Sequence, residues 1–364
     1  MKARNALIAP GPDATGRLAA GSARTSRTPG RVEWVAPLRG TAILLLILWH
    51  ASSIPVRFGF DMPTWLSLLN ETFLPWRMPT LMFLSGLLLA GSLRKPAPVY
   101  LVGKVKNLLW PYALWAAVYL SLFPGAGEAI DEPMSWFGAG YLWFILYLFA
   151  YYLVAPLVVR APWWIALPAF AVGAILIPHP SPQKICFFAV FFFAGHYART
   201  LIPAVLNAPR ASIGAVAFVA ASFTAASVTL SAVTGRHFFE FAPASIVFVL
   251  ALIALSVRAA HALGRRASKS ALERGIAWIG RNSVVFYLTH FPLMIVACVV
   301  ARQTAGALGL WIVGVCCAVA LLGGIPLTLA NGHWSVSWLF RAPRLPRGRS
   351  RLIATHRPSV GGDV

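Results

Sequence analysis

Between Val35 and Ala330 the chain is a succession of apolar stretches about as long as a bilayer is thick, parted by short polar loops. No other feature constrains the fold as strongly. A hydrocarbon core about 30 Å thick needs around 20 apolar residues per helix, and the backbone there must satisfy its own hydrogen bonds. The expected fold is an all-α integral membrane protein, a polytopic bundle of about ten transmembrane helices. The spans read as 35–54, 72–92, 107–124, 139–159, 163–178, 185–201, 211–233, 241–257, 276–301 and 307–330. A content of 59% apolar and 11% charged residues, with a mean hydropathy of +0.72, excludes a soluble enzyme. Residues 1–33 read as a basic disordered tail without the long apolar core of a secretory signal. Residues 34–330 read as one membrane domain, and 331–364 as an Arg/Pro-rich tail.

Against this apolar background stand 31 Lys and Arg and only 10 Asp and Glu, a formal charge of +21. Position explains it. Ten spans put both termini on one side, and on that side fall 24 of the basic residues, in the two tails and in loops such as Arg94–Lys106 and Arg258–Arg274. Only Arg57, Lys184, Arg236 and Arg302 fall on the other, while Arg39, Arg77 and Arg281 lie within spans. The positive-inside rule then sets both termini in the cytoplasm of a multi-pass protein of the cell (plasma or inner) membrane. The basic loops serve topology and contact with anionic membrane lipid, so no nucleic-acid partner is expected. Cys186, Cys298, Cys316 and Cys317 lie in apolar stretches without ligand spacing, so neither a disulfide framework nor a metal site is expected.

Polar side chains inside spans mark function by default. Four stand out: Arg39 and His50 in the first span, Arg77 in the second and His290 in the ninth. At 1.5 Å per residue, His50, Arg77 and His290 lie about 21–22 Å from the cytoplasmic ends of their spans, in one layer, and Arg39 only about 6 Å in. Arg39 precedes His50 by 11 residues, about three turns, so the two share a helix face. A neutral imidazole can take a proton from a hydroxyl or accept an acyl group, and a fixed guanidinium can bind phosphate or stabilise an oxyanion. The layer therefore suits acyl transfer.

The same residues carry a resemblance. Leu38-Arg39-Gly40-Thr41-Ala42-Ile43 through Trp49-His50-Ala51 resembles the opening motif of the membrane-bound acyltransferase-3 family, the type that O-acetylates O-antigen and other polysaccharides. Arg77-Met78-Pro79 with Phe83-Leu84-Ser85-Gly86 is similar to the family's second-span pattern. So are Leu109-Trp110-Pro111-Tyr112 and Leu142-Trp143-Phe144-Ile145 further on. Ile279-Gly280-Arg281-Asn282-Ser283 through Tyr287-Leu288-Thr289-His290-Phe291-Pro292 resembles its late motif. The chain departs from the family at Ala36, where an acidic residue is common three positions before the motif arginine; Glu33 is the nearest candidate to compensate. The hydrolase domain fused to some relatives is not expected here, which leaves acceptor handling to the membrane domain or to a separate extracytoplasmic partner.

The resemblance implies transfer of an acetyl or other short acyl group from cytoplasmic acyl-CoA, a co-substrate rather than a tightly bound cofactor, to a hydroxyl of a sugar, glycolipid, polysaccharide or similar acceptor. It casts His50 as catalytic base or acyl relay and His290 as its polar partner or acceptor-side base. Arg77 is cast as the group that stabilises charge at the acyl carbonyl, and Arg39 as the donor contact. Tyr287, one turn before His290, is a candidate to orient it, with Trp143 a further substrate-binding candidate beside ordinary core packing. Asn282 and Ser283 are candidates either for substrate contact or for capping the ninth span. The alternative class is a multi-span transporter or flippase of a lipid-linked sugar or small metabolite, in which intramembrane Arg and His bind or relay ions. Paired Gly/Pro-broken spans in two halves of the chain would mark it, and the sequence has no such symmetry.

Overall fold

A computed structural model describes residues 33–343 except 124, 126, 236–240, 267 and 306–308. The expected basic tail up to Val32, Arg236, His237 and the C-terminal run beyond Pro343 lie outside the described residues. Among those described, secondary structure is helical throughout. The chain runs through α1 (Val35–Arg57), α2 (Thr64–Leu87), α3 (Leu89–Leu93), α4 (Ala97–Lys104), a π-helical turn (Val105–Leu109), α5 (Trp110–Leu122), α6 (Trp143–Val158), α7 (Trp163–Leu176) and α8 (Pro180–Tyr197). It continues through α9 (Ile202–Asn207), α10 (Arg210–Thr234), α11 (Ile246–Gly264), α12 (Ala271–Arg281), α13 (Ser283–Ala305), α14 (Trp311–Ala330) and α15 (Trp334–Ser337).

Seven of the described helical segments are long and apolar enough to cross a bilayer: Val35–Arg57, Thr64–Leu93, Gly140–Val158, Arg210–Thr234, Pro243–Gly264, Ser283–Gln303 and Trp311–Ala330. The protein is thus a multi-pass helical membrane protein. Three expected spans fall outside this set, for separate reasons. In the stretch expected at 163–178, α7 has 14 residues and is about 21 Å long. The stretch around α5 is made more polar by Lys104, Lys106 and Asn107, and α8 opens on Pro180, Pro182, Gln183 and Lys184. The expected span 276–301 also divides. Helix α12, started by a Ser270/Glu273 capping box, ends at Arg281, and the Asn282 side chain donates to the Trp278 carbonyl (2.9 Å) at the break.

Two crossings fix the helices that carry the intramembrane polar groups. Where α1 meets α12, a Cβ on Gly40 would lie 2.0 Å from the Ile276 oxygen, and one on Gly280 would lie 1.8 Å from the Ala36 oxygen. Where α2 meets α8, a Cβ on Gly86 would lie 1.7 Å from the Phe192 oxygen, and one on Gly195 would lie 2.0 Å from that of Phe83. Only glycine admits such backbone approach, the usual device where apolar side chains give helices no drive to associate in lipid.

Prolines inside helices free carbonyls four residues earlier, and tyrosines take two of them. Pro156 in α6 leaves the Tyr152 carbonyl, which accepts from the Tyr100 hydroxyl (2.5 Å). Pro292 in α13 leaves the Leu288 carbonyl, which accepts from the Tyr141 hydroxyl (2.6 Å). The packed unit also runs past residue 330. Trp110 and Trp115 donate to the carbonyls of Trp338 (2.8 Å) and Leu339 (2.9 Å), and the Ala342 amide donates to Lys106 (2.9 Å). Phe340 is buried against Trp115. The first dozen residues of the expected tail are therefore docked, because Trp338 and Phe340 supply apolar anchors within its basic run.

Candidate active site

Helices α1 and α13 bring the two intramembrane histidines together. The His50 and His290 rings lie 5.0 Å apart between centroids, with 9% and 0% of their surfaces exposed. The Nδ1 of His290 lies 3.0 Å from the Phe286 carbonyl one turn earlier. A carbonyl only accepts, so Nδ1 carries the proton and Nε2 keeps the lone pair; Nε2 is buried with no hydrogen-bond partner. Around the pair, Phe291 stacks flat on Tyr141 (4.5 Å, 8°) and meets His50 edge-on (5.4 Å, 88°). Tyr287 hydrogen-bonds the Tyr141 carbonyl, which closes a loop of contacts with the Tyr141–Leu288 bond.

Arg77, 2% exposed on α2, lies with its guanidinium carbon 4.4 Å from the centre of the Trp49 ring, next in sequence to His50. A planar guanidinium suits a stacked site as an ammonium does not. Arg39 is separate from this group: its Nη2 is 3.5 Å from the Leu84 carbonyl. Glu33 does not reach Arg39 as a substitute for the acid missing at Ala36, since its carboxylate pairs with Lys269 (3.3 Å). The backbone of Ala36 instead forms the floor under Gly280.

Two cavities lie on either side of Tyr287, and His50 is in the wall of the larger. One, of about 250 Å³, is lined by Arg39, Ser85, Ser92, Lys95, Lys104, Asn107, Tyr152, Ser283 and Tyr287. Here Lys104 places its ammonium 3.3 Å from the Tyr152 ring centre and donates to the Ser92 hydroxyl (3.2 Å). Burial, with Lys95 nearby, pushes its pKa down to about 8. The other cavity, of about 520 Å³, is lined by His50, Arg57, Arg77, Tyr119, Tyr141, Trp143, Lys184, Phe241 and Tyr287 among others. Tyr287 borders both.

Of the residues singled out from sequence, His50, Arg77, Trp143 and Tyr287 thus converge on the larger cavity, with His290 directly behind His50. Arg39 and Ser283 line the smaller one. Asn282 lines neither and caps the α12 break. Sequence reasoning missed Tyr141, Tyr119, Trp49, Lys184 and Arg57 on the larger cavity, and Lys104 and Lys95 on the smaller. Lys184 carried a signal, as one of four basic residues on the sparsely charged side; Lys104 was hidden among its basic neighbours.

The membrane helices thus hold a buried histidine pair, with His50 in the wall of the larger cavity and two lysines on the smaller one. The family model Acyl_transf_3, described as an acyltransferase domain, matches residues 32–330, and the chain belongs to this family. It is a membrane acyltransferase. Searches of curated proteins and of solved structures each returned no match.

Proposed function

We propose that the protein transfers an acetyl or other short acyl group from acyl-CoA to a hydroxyl of a sugar-based acceptor, across the wall formed by Tyr287. The observation that carries this reading is the pair of cavities meeting at Tyr287 beside the His50–His290 contact. In the smaller cavity Arg39, Lys95 and Lys104 supply cations for a phosphate-bearing donor. Its volume of about 250 Å³ admits the donor's narrow arm and leaves the nucleotide at the mouth, where Lys95 is exposed. The basic loops support a reading in which this cavity and both termini face the cytoplasm, in a plasma or inner membrane crossed about ten times. On this reading α5, α7 and α8 are the remaining three.

In the larger cavity His50 takes the proton of the acceptor hydroxyl as its oxygen attacks the thioester carbonyl. The C–S bond then breaks, and the thiolate leaves with the proton that the imidazole held, giving CoA and an ester. His290, its Nδ1 proton fixed on Phe286, presents a lone pair to its surroundings and keeps the neighbouring ring in register. Arg77 stabilises the developing oxyanion. An acyl-histidine relay uses the same groups and divides the reaction into two steps. A separate extracytoplasmic protein presenting the acceptor is compatible with either route.

The test is release of CoA from acetyl-CoA by the purified protein with a hydroxyl acceptor. His50→Ala should lower the rate by at least about 10²-fold, the range lost with a general base. Unchanged turnover by the correctly inserted variant would refute the mechanism.

A further inference from the structure

Past α14 the chain returns to the helix that walls the smaller cavity. That wall is the end of α4 with the π-helical turn after it, which supply Tyr100, Gly103, Lys104, Asn107 and Leu108. In the turn, the Trp110 amide donates to the Val105 carbonyl, five residues back where an α-helix would reach four. The next bond of the same register would run from residue 111 to the Lys106 carbonyl. Position 111 is proline and has no N–H to give. The donor comes from far along the chain instead, the Ala342 amide at 2.9 Å.

Contacts beside this bond hold the same piece of chain in place. The Trp110 and Trp115 indoles donate to the carbonyls of Trp338 and Leu339, and buried Phe340 stacks on Trp115 with 6.2 Å between ring centres. Residues 338–342 therefore lie across the join between the π-turn and α5. The register they cover decides what the cavity wall presents. An α-helix turns about 100° per residue, so the extra residue of a π-turn rotates α4 by about that angle against α5. In the orientation so set, the Lys104 ammonium lies over the Tyr152 ring and donates to Ser92, and the Asn107 side chain donates to the Gly103 carbonyl (2.6 Å). π-turns are rare and frequent at functional sites, and a return to α register would turn Lys104 away from this wall.

We infer that residues 338–342 are a strap that positions Lys104 for the donor, with Phe340 as its anchor and the Ala342 amide as its hold on the π-turn. This rests on the smaller cavity being the donor side, as proposed above. Phe340 and Ala342 are positioning residues: they touch no reacting atom and act through Lys104.

The experiment uses the full chain in lipid nanodiscs, unmodified or carrying Ala342→Pro, which deletes the donated N–H, or Phe340→Ala, which deletes the anchor. Lys104 is labelled with acetic anhydride and read by mass spectrometry, with Lys184 as the reference within the same chain. CoA release from acetyl-CoA gives KM and kcat separately. Both variants should label Lys104 severalfold faster with Lys184 unchanged. Both should also raise the KM for acetyl-CoA severalfold at nearly constant kcat, whereas loss of folded protein would lower kcat alone. In a Lys104→Gln chain, Ala342→Pro should add little to the KM. Unaltered Lys104 labelling in both variants overturns the inference, as does a fall in kcat at unchanged KM, or an Ala342→Pro effect as large without Lys104 as with it. A KM raised by Lys104→Gln but by neither strap variant refutes the strap alone. If Lys104→Gln leaves the KM unchanged, or the unmodified chain releases no CoA, the reading of the smaller cavity as the donor side fails, while faster labelling in the two variants still upholds the strap's hold on Lys104.

Discussion

Tyr141→Phe removes one oxygen atom from the centre of the protein and tests how α13 tolerates its proline. In α13, Pro292 has no N–H to give to the Leu288 carbonyl, and the Tyr141 hydroxyl supplies the missing donor at 2.6 Å. The phenylalanine ring would keep the flat stack on Phe291, and the Tyr141 carbonyl would still accept from Tyr287, so the substitution isolates this bond. A buried carbonyl left without a donor costs about 1–3 kcal/mol. Hydrogen bonds inside membranes average only about 0.6 and reach about 1.7 kcal/mol. The expected loss is therefore about 1–2 kcal/mol, read by equilibrium unfolding in mixed micelles with near-UV circular dichroism. Pro292→Ala provides the decisive background, because alanine's backbone N–H bonds the Leu288 carbonyl as in any helix. There Tyr141→Phe should cost little, which gives a coupling of about 1 kcal/mol, above the roughly 0.3–0.5 kcal/mol scatter of independent sites. An equal cost in both backgrounds would refute the exchange of a helix bond for a tyrosine.

Two other outcomes follow from the geometry. Lys104, with a pKa of about 8, carries its charge below that pH and loses it above, so the Michaelis constant for the acyl-CoA donor should rise severalfold between pH 7 and 9. Lys104→Gln should start from the higher value and flatten this profile, and steady-state kinetics across that range checks both. Gly280→Ala would drive a Cβ to 1.8 Å from the Ala36 oxygen, so α1 and α12 have to separate, and a loss of more than about 2 kcal/mol is expected in the same unfolding assay.

The sequence brought out the intramembrane polar residues, though not by a sound depth count for all of them. Counting from the ends of the expected spans puts His50, Arg77 and His290 at one level, but α13 starts at Ser283 and leaves His290 only about 10 Å along it; the two rings nonetheless lie 5.0 Å apart, with Arg77 on the neighbouring tryptophan. What counting does not supply is which helices are neighbours. The bond from Tyr141 to Leu288 joins positions 147 residues apart, and nothing local to either announces it. The same holds for Lys104, one basic residue among several in sequence, yet half-buried against Tyr152 in space. Hydropathy also blurred the break at Asn282, because residues on both sides of it are apolar enough to be read as one span. Arg57 and Lys184 were visible only as exceptions to a charge rule, and their shared cavity gave the exceptions a location.

The glycine crossings of α1 with α12 and of α2 with α8 bear on how such a protein can move. Contacts of glycine against a neighbour's carbonyl interlock main chain with main chain, leaving no lubricating layer of side chains along which one helix slides past the other. His50 and Arg77 ride on the two helices so pinned. A motion that parted either pair would have to shear its joint at every turnover. Side-chain rotation asks for far less, and the ring of Tyr287, among the described residues the one side chain that lines both cavities, stands between them.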